Sequence, residues 1–112
     1  MSIRTVPERR ELPTRRNSSA ITFYHESVEY KVYFSQYEPD GRLAEIFIEV
    51  AKTGTSANIF AKECAVILSL ALQYGTPQET LYAALPKVQD GSPAGPIGKA
   101  MRYALTGEIP LP

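Results

Sequence analysis

Residues 28–51 read VEYKVYFSQY-EPDGR-LAEIFIEVA, and this stretch decides the fold. Val28, Tyr30, Val32 and Phe34 fall on one face of an extended segment, and Glu29, Lys31, Tyr33 and Ser35 on the other. A period of two is that of a strand half-buried against a core. Glu38-Pro39-Asp40-Gly41-Arg42 follows: proline fixes φ, aspartate bonds its own backbone, and glycine accepts positive φ. From Leu43 to Ala51 the alternation resumes, with Ile46, Ile48 and Val50 set against Glu45, Phe47 and Glu49. Two strands and a turn make an antiparallel hairpin. On its N-terminal side, Ile21, Phe23 and His25 alternate with Thr22, Tyr24 and Glu26, which adds a third strand through a turn at residues 26–28. The expected sheet is a three-stranded meander with one apolar face.

Beyond Lys52 the period changes. Thr53-Gly54-Thr55-Ser56 reads as a turn into a helix, with Thr55 or Ser56 as N-cap, running to about Tyr74. Its second half, CAVILSLAL (64–72), is apolar nearly all round, so the expectation is a central, buried helix that carries Cys64 inside. Gly75 is a natural helix terminator. Thr76-Pro77-Gln78-Glu79 has the form of a capping box, with Thr76 as cap, Pro77 at the first helical position and Glu79 at the third. That second helix is expected over Pro77 to about Leu85. Asp90–Gly95 is a loop, and Pro96 to about Leu105 forms a third helix ended by Gly107. The order β-β-β-α-α-α and the need of one sheet face and one apolar helix for each other predict a two-layer α+β sandwich.

The 112 residues amount to one domain, and 44% hydrophobic against 21% charged is a globular composition. Twelve basic residues balance twelve acidic ones, yet the balance hides a division. Residues 1–16 hold Arg4, Arg9, Arg10, Arg15 and Arg16 against two glutamates, a net of +3, which leaves −3 on residues 17–112. Pro7 and Pro13 interrupt any regular element, so residues 1–16 are expected to be an extended, mobile basic arm. Residues 17–107 then form the single domain and 108–112 a short tail. No apolar run approaches the roughly 20 residues of a membrane span. The N-terminus is Arg-rich rather than apolar, unlike a secretory signal, so the expected location is the cytoplasm.

Candidate chemistry is sparse. His25 is the only histidine and Cys64 the only cysteine. A nucleophile–histidine pair would have to use His25, which no nucleophile motif accompanies, and one cysteine can build neither an internal disulfide nor a thiolate zinc site. Glu29, Glu45 and Glu49 fall on the polar strand face, where charge is at home. No catalytic residue, metal site or cofactor is expected. Gly54, Thr55 and Ser56 precede a helix N-terminus and form a candidate nucleotide or anion site, without the Gly-Lys-Ser/Thr ending of a phosphate-binding loop. The five arginines of the arm are candidates for a protein partner or for nucleic-acid phosphates. Tyr24, Tyr33, Tyr37 and Phe47 fall on the face opposite the apolar one, too aromatic for plain solvent. Two readings stand side by side: a partner surface, including self-association, or a face covered by the arm or the third helix.

Three segments in order, Asp40-Gly41-Arg42-Leu43-Ala44-Glu45-Ile46-Phe47-Ile48, Lys52-Thr53-Gly54-Thr55-Ser56 and Ile67-Leu68-Ser69-Leu70-Ala71-Leu72-Gln73-Tyr74-Gly75, resemble the TSCPD domain. That domain occurs near the C-terminus of adenosylcobalamin-dependent (class II) ribonucleotide reductases and as short stand-alone proteins in bacteria and phages. The arm's Leu12-Pro13-Thr14-Arg15-Arg16 and the later Gly95-Pro96-Ile97-Gly98 are similar to stand-alone members. The motif that names the family, Thr-Ser-Cys-Pro-Asp, falls on Thr55-Ser56-Ala57-Asn58-Ile59, so its cysteine, proline and aspartate are lost here. The resemblance implies a relative of an accessory piece, not a reductase: a non-catalytic interaction or regulatory module that binds a protein partner, with a reductase, another protein and a second copy of itself as candidates. Nucleic-acid binding through the arm and nucleotide or anion binding at Gly54-Thr55-Ser56 are the alternatives.

Overall fold

The structure, a computed structural model, describes residues 8–14, 17–51 and 56–110. Three antiparallel strands, β1 (Ser18–His25), β2 (Val28–Gln36) and β3 (Leu43–Val50), lie side by side in chain order. Three helices follow, α1 (Ser56–Gln73), α2 (Gln78–Ala84) and α3 (Pro96–Thr106). The expected α+β class and element order hold. β1 meets β2 through a two-residue turn, with Ile21 opposite Val32 and His25 opposite Val28. Glu26 and Ser27 both adopt positive φ, 50° and 65°. That is the backbone a tight hairpin demands, and here no glycine supplies it. The β2–β3 turn uses Gly41 at φ 72°, as its sequence predicts, and a register shift at Ser35/Gln36 precedes it.

The core lies on the face carrying Phe23, Tyr30, Val32, Phe34, Ile46, Ile48 and Val50, against Ala61, Ala65, Leu68 and Leu72 of α1 and Ala100 and Met101 of α3. Phe23 stacks on Tyr30 with ring centroids 5.8 Å apart. Tyr103 of α3 reaches β2, its ring 5.4 Å from that of Phe34.

Helix α1 packs on β3 and does more than cover a face. Ile46 is paired with Phe34 on one side, yet its own N–H donates to Ser69 Oγ at 2.9 Å, and Ser69 Oγ donates back to the Ile46 carbonyl at 3.1 Å. One turn on, Gln73 Nε2 donates to the Ala44 carbonyl at 3.1 Å. These are the backbone groups of the open edge of β3, so a serine and a glutamine stand in for a fourth strand there. Ala61, Ala65, Ser69 and Gln73 recur every four residues and are all buried. Three small side chains in that row let the helix backbone come close to the strand edge.

Two sequence expectations change. The apolar half of α1 is not buried all round: with one side on β3 and the core, Ile59, Phe60, Val66, Ile67, Leu70 and Tyr74 remain exposed, and so does Cys64. Thr76 does not cap α2, whose N-cap is Pro77, without a side-chain capping bond. The Thr76 N–H instead closes the end of α1 on the Ala71 carbonyl, while Gly75 N–H bonds the Leu72 carbonyl and Gly75 takes φ 105°. This is the Schellman pattern, which engages Thr76 as the residue after the terminator. The third helix ends as expected at Gly107, in the left-handed region at φ 76°.

Ser69→Ala should cost about 2–3 kcal/mol in urea unfolding, because one deletion leaves two buried edge groups unpaired. Ser27→Gly should raise stability by about 0.5–1 kcal/mol in the same assay by relieving a left-handed backbone at a non-glycine residue.

Candidate interaction surface

Two regions gather the side chains of interest: the C-terminal end of α1, where the chain's own basic residues converge, and the outward side of α1 with the neighbouring edge of the sheet.

A helix ends with carbonyls that lack partners and with partial negative charge. The last turn of α1 carries no basic residue of its own. Arg42, from the β2–β3 turn, donates from Nη2 to the Leu72 carbonyl at 2.7 Å and to the Thr76 carbonyl at 3.3 Å. Arg10 N–H donates to the Gln73 carbonyl at 2.9 Å, and Arg9 Nε to Gln73 Oε1 at 2.6 Å. The Arg10 guanidinium forms a two-pronged pair with Asp40, at 2.8 and 3.1 Å, and lies 3.8 Å above the centre of the Tyr37 ring. Tyr37 Oη in turn donates to the Arg10 carbonyl. Residues 9 and 10 are thus fastened to the helix end, the β2–β3 turn and an aromatic ring together. The hydrogen bond from Arg10 holds the Asp40 carboxyl below the usual carboxylate range, and the same bond raises Arg10.

Of the arm's other arginines, Arg4, Arg15 and Arg16 lie outside the described residues, as do Gly54 and Thr55 of the anion candidate. Ser56 is the first residue of α1 and is exposed. The four aromatic candidates do not form one patch. Tyr37 is only 2% exposed, under Arg10. Tyr24 is exposed near the hairpin turn, its hydroxyl donating to Glu29 across the strands at 2.8 Å. Tyr33 and Phe47 are cross-strand partners, with Phe47 50% exposed. His25 is half-buried and edge-on to Tyr30; burial, helped by Lys99, pushes its pKa down. Among the described residues no cluster of histidine, cysteine or carboxylate side chains could hold a metal, and no helix is long and apolar enough to cross a membrane.

The outward side of α1 is the surface that sequence reading missed. Phe60 is 63% and Ile67 67% exposed, with Ile59, Val66, Leu70 and Tyr74 around them. Six large apolar side chains on one helix exceed what scattered surface hydrophobics explain. A groove of about 410 Å³ runs alongside, lined by Tyr33, Phe47, Glu49, Lys62, Ala65 and Val66, so the sheet aromatics and the helix face are continuous. The signal was present in the sequence: the row of small and polar residues at 61, 65, 69 and 73 already showed that a single side of α1 is spoken for.

The chain matches the TSCPD domain over residues 4–106. It is 36% identical over 103 residues to the vitamin B12-dependent ribonucleotide reductase of Bradyrhizobium diazoefficiens, an alignment covering 87% of this chain and 8% of that protein. The proteins of the same name from Agrobacterium fabrum and Rhodopirellula baltica are 38% identical over 76 residues and 36% over 75, covering 64% and 67% of this chain and 6% and 7% of theirs. The chain therefore spans less than a tenth of the length of these relatives. No solved structure matches it significantly. The chain belongs to the TSCPD domain family.

In a carboxyl-resolved NMR titration, Asp40 should titrate below an ordinary aspartate. In Arg10→Met its pKa should return upward toward the reference value of about 3.9. Because the folded value is the lower one, the pair's contribution to stability is complete above the unfolded pKa and fades as pH falls through the folded one.

Proposed function

We propose that this member of the TSCPD family is a non-catalytic accessory domain that works by docking on a protein chain through the outward face of α1. The observation that carries the reading is that face: Phe60, Ile67, Leu70 and Tyr74 stand in solvent along the same helix whose other side closes the sheet edge. The core contacts of α1 come from its inner side, through Ala61, Ala65, Leu68 and Leu72. Family membership supports an accessory role, since the relatives are far larger proteins in which the matched stretch is a small part. One histidine and one cysteine in these 112 residues support a role other than catalysis. The fit to a ribonucleotide reductase as partner rests on the activity for which those relatives are named.

The test is equilibrium association, measured by sedimentation and by biolayer interferometry, of the chain with itself and with a purified vitamin B12-dependent ribonucleotide reductase. At least one association should be found, and Phe60→Asp should weaken it by about tenfold or more while leaving the far-ultraviolet circular dichroism spectrum unchanged. Association that Phe60→Asp leaves intact, or none in either arm, overturns the reading.

A further inference from the structure

The exposed side of α1 has an order that a merely apolar surface lacks. Phe60, Ile67 and Tyr74 recur every seven residues, and so do Ala57, Cys64 and Ala71 beside them. All are exposed except Ala71, which is half-buried. A seven-residue repeat is the spacing at which one helix keeps a constant seam toward another. Here the seam has one row of large side chains and one row of small ones. Such a face is complementary to itself when two copies run antiparallel, because the large row of each then lies along the small row of the other. With the two-fold axis passing between residues 65 and 66, Phe60 meets the second copy's Ala71, Ile67 meets its Cys64, and Tyr74 meets its Ala57.

We infer that the occupant of this face is a second copy of the same chain, packed α1 against α1 about a two-fold axis; the inference rests on the docking role proposed above. A closed two-fold interface uses one patch twice and must be self-complementary, which the paired rows satisfy. Charge agrees: Lys62 and Glu63 are the only charged residues of α1, and neither belongs to either row. The centre of the contact is charge-free, with the charges at its border, as at the core and rim of known interfaces.

The native protein supplies its own probe. Cys64 is the only cysteine and is exposed in the small row, within one helical turn of the proposed axis. Sedimentation equilibrium should give twice the 12.4 kDa chain mass. A short bismaleimide should join Cys64 of one copy to Cys64 of the other. Ile67→Glu, at a position already 67% exposed and so without cost to the fold, should give the single-chain mass and lose the crosslink. Ala71→Trp, which fills the small row, should do the same. A monomer at millimolar concentration without crosslinked product overturns the inference, as does a dimer indifferent to both substitutions. A monomer that binds the reductase through Ile67 overturns the second-copy occupant and keeps the docking role. A monomer with no Ile67-dependent binding of any kind overturns both.

Discussion

The Ser69 hydroxyl on Ile46 is the contact from which the architecture follows. A three-stranded sheet has two open edges, and each edge carries backbone groups that water must solvate or a partner must bond. In this domain one edge is closed from within. Ser69 accepts from and donates to a single residue of β3, and Gln73 reaches the next free carbonyl along the strand. A helix that bonds a strand edge cannot lie centrally over the sheet. It is drawn to the side, where Leu68 and Leu72 still reach the core and α3 takes the remaining space with Ala100 and Met101. The same displacement turns the other half of an apolar helix toward solvent, so the site proposed for docking is a consequence of how the edge is closed.

Gln73 joins that closure to the N-terminal residues. Its side-chain amide donates to β3 and accepts from Arg9, and its backbone carbonyl accepts from Arg10. Arg42 and Arg9 bring two guanidinium groups to a helix end that has no cation of its own, while the Arg10 guanidinium is held by Asp40. The positive charge of residues 9 and 10 is therefore spent partly on the domain itself, at a helix terminus where cations are favoured.

Much of this was legible in residues 18–51 and 96–107, where alternation, turn chemistry and the Pro-to-Gly frame of α3 act locally and agree with the tertiary structure. The reading failed where two descriptions of one segment competed. CAVILSLAL is apolar enough to read as buried all round, but hydrophobicity alone does not say how many sides have neighbours; the small residues at 61 and 65 and the polar ones at 69 and 73 do. Thr76-Pro77-Gln78-Glu79 fits a capping box, and the Schellman closure of α1, one residue earlier, engages the same threonine. Tyr37 sits among the outward aromatics by strand parity, but the register shift at Ser35/Gln36 breaks the parity just before it. None of the arginine contacts, 27 or more residues apart in sequence, left a periodic trace to read.

The sheet is asymmetric in what it can accept. Its β3 margin is occupied by a helix of the same chain, while β1, among the described residues, has no strand on its outer side. A guest strand can therefore join from one direction only. If the guest belongs to another copy of this domain, it brings with it a far margin that is also sealed, and the joined sheet has nowhere left to grow. Edge-to-edge pairing of these domains terminates at two, so the helix that shapes the exposed surface also denies the sheet the open-ended stacking from which fibres are made.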